Sequence, residues 1–303
     1  EKFGENFVSK LNGIFAFCIY HKKNNSIYIY RDRFGIKPVY YFFDKDKFSF
    51  ASEIKALLVI HKDIKLNFET VYDYIENGLN VHSNKTFFNN IYSLQPGNFV
   101  KINLNNPKIC KKNYWNANNF YSKKNTNITS IKNLEYLITD SFKLNMVSDV
   151  EVALSLSSGL DSLLMYSEIK NLGYENIKSF TYGFEDKKYD EITLLKKRGL
   201  DIKNHYCYYF KPKSLLPELE KAIKYYETPL GGLGSLCSYY LMQKVKNENI
   251  KVILSGEGCD EIFGGYQYYF PAFFSDLKNK DQIRKNLMLY NNENQSNLKM
   301  GSK

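Results

Sequence analysis

The chain has 303 residues, 44% hydrophobic and 24% charged, enough to bury substantial cores and to suggest two domains. No stretch reaches the roughly 18 consecutive apolar residues of a membrane span, and the opening EKFGENFVSK lacks the basic-then-apolar order of a secretory signal, so the expected compartment is the cytoplasm. The formal charge of +10 is mostly lysine, with arginine only at Arg31, Arg33, Arg198 and Arg284; this predicts a solvated lysine-rich surface and does not point to nucleic acid.

Over residues 11–51 short β-rich runs, GIFAFCIY, SIYIYRD, PVYYFF and FSFAS, are separated by turn-prone HKKNN, RFGIK and DKDK, which predicts an antiparallel sheet segment. Within the first run Cys18 reads as a core thiol. With Cys110, Cys207, Cys237 and Cys259 it makes no CxxC pair, so neither a disulfide framework nor a zinc site is expected. EIKALLVI and residues 68–77 predict two helices, Pro96-Gly97 a turn, and 98–104 a further strand. Asn, Lys and Ser dominate 105–130, where the domain boundary is placed with Trp115 as its anchor. Beyond it the pattern alternates: helix 131–146, strand 150–156, helix 161–172, strand 178–184, helix 190–200, strand 204–210, helices near 214–226 and 235–247, and strand 251–255. Such alternation predicts a mainly parallel sheet covered on both faces, with ligands beyond the carboxyl ends of its strands.

The strand at 150–156 runs into SSGLDS (157–162) and then an apolar helix. A small-residue loop at a helix start offers backbone N–H groups and the positive end of the helix dipole to an anion. Ser157 and Ser162 can add hydroxyls, whereas Asp161 would repel phosphate unless a cation such as magnesium lay between them. Taken alone, SSGLDS is equally a turn with an Asp or Ser helix cap. A second loop, SGEGCDEIFGGY (255–266), follows the apolar KVIL and gathers Glu257, Asp260 and Glu261, a repulsive set that a bound cation or ammonium-like species explains better than a bare turn.

These two segments resemble the SGGxDS pyrophosphate loop and the SGEGxDE-[LIV]-FGGY block of asparagine synthetases and their relatives. FTYGFEDKKYDE (180–191) is similar to the family's segment after its second strand, with an Asp-Glu pair starting the next helix. LNGIFAF, RDRFGIKPVYYF and FASEIKALL resemble the later part of a class II glutaminase domain. The resemblance implies an α/β chain: an incomplete amino-terminal Ntn-type glutaminase domain of antiparallel strands and helices over 1–110, and a linker at 111–130. A Rossmann-like, parallel-sheet ATP-pyrophosphatase domain, similar to the adenine nucleotide alpha hydrolases, would occupy 131–303. It also implies a reaction, in which aspartate's side-chain carboxylate attacks the α-phosphorus of ATP and glutamine-derived ammonia displaces AMP from the acyl-adenylate. Ser157, Ser158, Gly159, Asp161 and Ser162 would then lie at the pyrophosphate, with Ser255, Gly256 and the backbone of Tyr182 near the nucleotide. Asp161 and Asp260 would hold Mg2+, and Glu257 would accept a proton from the attacking nitrogen. The assembly is left open, a homodimer included.

The sequence departs from the family pattern in places. Ser158 stands where the loop usually has its first glycine; if that position needs positive φ or close phosphate approach, the side chain costs about 1 kcal/mol or more or displaces the ligand, and its removal should tighten nucleotide binding. No cysteine opens the chain and no segment resembles the family's glutamine-holding loops, so the chain alone is not expected to hydrolyse glutamine. Residues 271–303, rich in Asn and Lys, resemble nothing downstream of FGGY, so the synthetase domain is expected to be truncated. An amidotransferase of surface-polysaccharide biosynthesis or another carboxylate-activating relative, an RNA-modifying ATP-pyrophosphatase and a non-catalytic remnant are the alternatives.

Overall fold

The β-rich runs near the amino terminus form β1 (Ala16–His21), β2 (Ser26–Arg31), β3 (Tyr40–Asp44) and β4 (Lys47–Ala51), yet they do not share one sheet. The computed structural model describes residues 3–45, 47–120, 130–187, 190–199, 202–211, 215–266, 268–277 and 279–294. After helices α1 (Ile54–Ile60) and α2 (Phe68–Asn77) come β5 (Ile91–Ser93), β6 (Asn98–Asn103) and β7 (Ile109–Asn113). One antiparallel sheet has the order β1-β2-β6-β7 and a second the order β4-β3-β5.

Asp32 and Arg31 account for the change of sheet. The buried Asp32 carboxylate accepts the amides of Phe34, Ile36 and Lys37 at 3.0–3.1 Å, closing a loop too long for a hairpin. Arg31 donates to the carbonyls of Lys37, Gly35 and Leu94 and to Ser93 Oγ, tying the departing strand to the second sheet. Alternation along β2 then serves two cores, as a period of two requires. Ile29 packs with Tyr41, Leu94, Val100 and Ile102, while Tyr28 and Tyr30 pack with Val8 and Phe99 on the opposite face. Cys18 is exposed rather than in a core, because β1 is an edge strand whose pattern is largely open.

The next helices and strands are α3 (Ile131–Asn145), β8 (Val152–Ser155), α4 (Leu160–Asn171), β9 (Ser179–Gly183), α5 (Glu191–Lys197) and β10 (His205–Tyr209). After α6 (Leu215–Tyr226) and α7 (Leu233–Asn247), β11 (Val252–Leu254) completes a parallel sheet of order β10-β9-β8-β11. Both of its faces are covered. Val152, Leu154 and Leu156 pack with Met165, Ile169 and Leu195 on one side, and Ala153 and Phe180 with Leu241, Val245 and Ile250 on the other. Short α8 (Cys259–Phe263) is followed by α9 (Tyr269–Asp276) and α10 (Lys280–Asn294), which occupy the Asn- and Lys-rich stretch.

Contacts divide the chain into two units, Glu1–Ser130 with Lys211–Tyr240, and Ile131–Phe210 with Leu241–Lys303. The segment after β10 therefore groups with the antiparallel sheets. Glu227, at φ 60°, sends its carboxylate to the amides of Ile54 and Lys55 at 2.6 and 2.5 Å, and Tyr74 Oη donates to the Leu230 carbonyl. The N-cap residue of α1, Glu53, makes no side-chain cap. Glu227 takes over that duty, satisfying amides that a helix start otherwise leaves unpaired.

Candidate active site

In the parallel sheet the chain runs from β8 through β9 to β10 in one direction and then places β11 on the other side of β8. The strand order thus reverses between β8 and β11, and crevices at such reversals, beyond the strands' carboxyl ends, are where open α/β sheets bind ligands. Leu154 pairs with Leu254, so the loops 156–159 and 255–258 leave neighbouring strands at matching depth. The second loop meets the start of α4: a β-carbon on Gly256 would lie 3.0 Å from the Ser162 amide nitrogen and 3.2 Å from Asp161 Cβ. This close approach is what that glycine provides.

The first loop is braced from within. Buried Ser162 donates through Oγ to the carbonyl of Ser157 or Gly159 and accepts the Ser157 amide at 3.1 Å; its Oγ also lies 2.9 Å from Ser157 Oγ. The Gly159 amide donates to Ser157 Oγ at 3.2 Å, and the Ser158 amide to Glu191 Oε2 at 2.6 Å. Beneath the loop, Thr181 Oγ1 donates to the Leu156 carbonyl and meets His205 Nε2 at 2.8 Å. Burial, then Lys196, pushes the His205 imidazole below its ordinary value, so its neutral form props the loop's base. Gly159, the N-cap of α4, has φ −67° and Ser158 is not among the residues with positive φ. A serine at 158 therefore carries no left-handed strain, and the case for glycine there rests on the room that a missing β-carbon gives an approaching phosphate.

Asp161 opens α4 facing the second loop. Its carboxyl is held above the ordinary carboxylate range first by burial and then by the charges of Asp260 and Glu261. Asp260 begins α8 and lies against Gly265, where any β-carbon would overlap its carboxylate. Glu261 accepts the Tyr266 hydroxyl at 2.8 Å, which holds that carboxyl below the usual range and raises the phenol to about 12. Ser255 and Glu257 are exposed on the loop from β11 to α8, and Tyr182 is half-buried near the end of β9. Among the described residues no group of three or more His, Cys, Asp or Glu is arranged to hold a metal unaided. Sequence reasoning gave Glu191, Thr181 and Gly265 no role in the site, although each lies in a segment that resembles the family: Thr181 and Glu191 in FTYGFEDKKYDE, Gly265 in the FGGY block.

A parallel sheet with a strand-order reversal under two acid-bearing glycine loops defines a doubly wound α/β protein, here in one chain with an antiparallel β unit. Residues 133–301 match the family model for asparagine synthase, and residues 1–115 that for a glutamine amidotransferase domain. The chain belongs to the asparagine synthase family. The match runs beyond FGGY through α10, where no motif marks it in the sequence. Asparagine synthetase [glutamine-hydrolyzing] 1 of Bacillus subtilis is 34% identical over 267 residues, 88% of this chain and 41% of that protein. Asparagine synthetase [glutamine-hydrolyzing] 2 of the same organism is 32% identical over 285 residues, 88% of this chain and 38% of the relative. Amidase chyE of Penicillium rubens is 29% identical over 326 residues, covering all of this chain and 47% of the amidase. The chain thus spans less than half the length of each of these relatives.

Proposed function

We propose that this chain carries the ATP-using site of an asparagine synthetase, amidating aspartate through an acyl-adenylate with glutamine as the source of ammonia. The observation that carries the reading is the meeting of the 157–162 and 255–260 loops at the strand-order reversal, with Asp260 close enough that its charge, after burial, helps raise the Asp161 carboxyl. Two hard carboxylates that leave most of a coordination shell to other oxygens fit magnesium, which draws the remainder from phosphates and water. Magnesium held by Asp161 and Asp260 would supply positive charge to the departing pyrophosphate.

The chain's own groups do the rest of the work. Backbone amides of Ser157, Ser158 and Gly159, at the start of α4, face the pyrophosphate as it leaves, with Ser162 holding the loop in shape. Ser255, Gly256 and the backbone of Tyr182 border the nucleotide. Glu257 accepts a proton from the attacking nitrogen as ammonia displaces AMP. A cytoplasmic setting suits this chemistry, and no helix among the described residues is long and apolar enough to cross a membrane.

The test is the exchange of labelled pyrophosphate into ATP by this chain. Exchange that requires both aspartate and magnesium is expected, because formation of the acyl-adenylate is reversible. The likeness of this whole chain to 47% of an amidase favours one competing reading, in which another carboxylate is activated. Exchange with other carboxylic acids but not aspartate would establish that reading, and absence of exchange with any acid would end both.

A further inference from the structure

Three amides line the loop that the proposed function assigns to pyrophosphate, and all three are already engaged by side-chain oxygens. Ser157 N–H reaches Ser162 Oγ and Gly159 N–H reaches Ser157 Oγ, both within the loop. Ser158 N–H is different: its acceptor, Glu191 Oε2 at 2.6 Å, comes from the first residue of α5, 33 positions further along the chain. That carboxylate is not needed to cap its own helix. Asp190, buried at the N-cap, already accepts the amides of Ile192 and Thr193 and the Thr193 hydroxyl.

A carboxylate oxygen on an amide at a helix start is chemically what a phosphate oxygen would be there: an anionic acceptor in a charge-assisted hydrogen bond. We infer that Glu191 is an internal competitor for the phosphate seat, holding the Ser158 amide in the ligand-free protein and giving it up when pyrophosphate or the phosphates of ATP arrive. The inference rests on reading the loop as a pyrophosphate site.

Two consequences follow from charge alone. A loop whose amides are all satisfied keeps its shape without ligand, which limits the ordering cost of binding. In exchange, the apparent affinity is reduced by the fraction of molecules in which Glu191 occupies the seat. Once phosphate is bound, two anions cannot share one amide, so the carboxylate must turn away. The start of α5 thereby senses whether the loop is filled.

The experiment titrates inorganic pyrophosphate, with magnesium, into this chain and into Glu191→Gln and Glu191→Ala, following binding by calorimetry and hydrogen exchange at the Ser158 amide. Glu191→Gln keeps an acceptor without the charge, so it guards against a folding defect in the alanine variant. Expected are pyrophosphate affinities about tenfold tighter in both variants, and faster exchange at Ser158 in ligand-free Glu191→Ala than in the unaltered chain. Unchanged or weaker affinity in both variants, with the unaltered chain still binding, would overturn the competitor role and leave the site reading intact. No binding by any of the three would overturn both.

Discussion

Asp161→Asn is expected to lower the pyrophosphate exchange rate by more than about a hundredfold while raising the melting temperature of the ligand-free protein. The size of the loss follows from the proposed coordination: groups that only support metal ligands are worth about 10–100-fold, so removing a ligand's charge should cost more. The stabilisation follows from electrostatics. Asp161 is raised above its ordinary value by burial and by Asp260 and Glu261, so its charged form is disfavoured in the folded, metal-free chain. A carboxyl with a raised folded value contributes stability that is present at low pH and is lost as pH rises through that value. At neutral pH the aspartate is therefore a liability that asparagine removes. The gain should shrink as the pH is lowered toward the reference value of 3.8. Thermal melts with and without Mg-ATP check both halves: only the unaltered chain should gain stability from the ligand. Gly265→Ala should reproduce the loss of activity without the gain in stability, because its β-carbon displaces the Asp260 carboxylate but leaves every charge in place.

The second large effect lies in the other unit. Gly97→Ala is expected to destabilise the antiparallel unit by about 3 kcal/mol or more. Gly97 has φ +66°, and a β-carbon there would overlap the backbone carbonyl of Trp115, which cannot swing aside as a side chain could. The surrounding hydrogen bonds are lost with it. The Gly97 carbonyl accepts the amides of Tyr114 and Trp115, and its own amide donates to the Asp32 carbonyl. Trp115 is the chain's only tryptophan and packs against Phe34, so urea unfolding followed by its fluorescence reads the damage directly. A midpoint equal to that of the unaltered chain would show that the turn is not the constraint described.

What the sequence could reveal depended on how local the cause was. The loops at 157 and 255 were legible because each is an apolar strand, a run of small residues and a helix in immediate succession. All the helices and strands of the parallel unit up to 255 were legible for the same reason. The division of the first four strands between two sheets was not, because period-two alternation says which side of a strand is apolar but not which strand lies beside it. It depended on Asp32 and Arg31, whose partners are backbone groups invisible in a residue pattern. Strand β7, ICKKN, escaped notice because an edge strand carries lysines where a central one would carry valines; the rest of the expected linker, 121–129, lies outside the described residues. In the site itself, the acids could be read from the motifs, but the Glu191 carboxylate on the Ser158 amide joins elements that only folding brings together.

The grouping of Lys211–Tyr240 with the amino-terminal unit bears on how exchangeable the two halves are. The backbone passes from one unit to the other three times, after residues 130, 210 and 240, so no single break in the chain releases either of them whole. A chimera joining the amino-terminal half of one relative to the carboxyl-terminal half of another at residue 130 would import a foreign 211–240 segment into its first unit. Glu227, however, grips two main-chain amides that every sequence possesses except where proline intervenes. Such a graft would be tolerated according to whether the recipient begins a helix at that place, more than according to which side chains it displays.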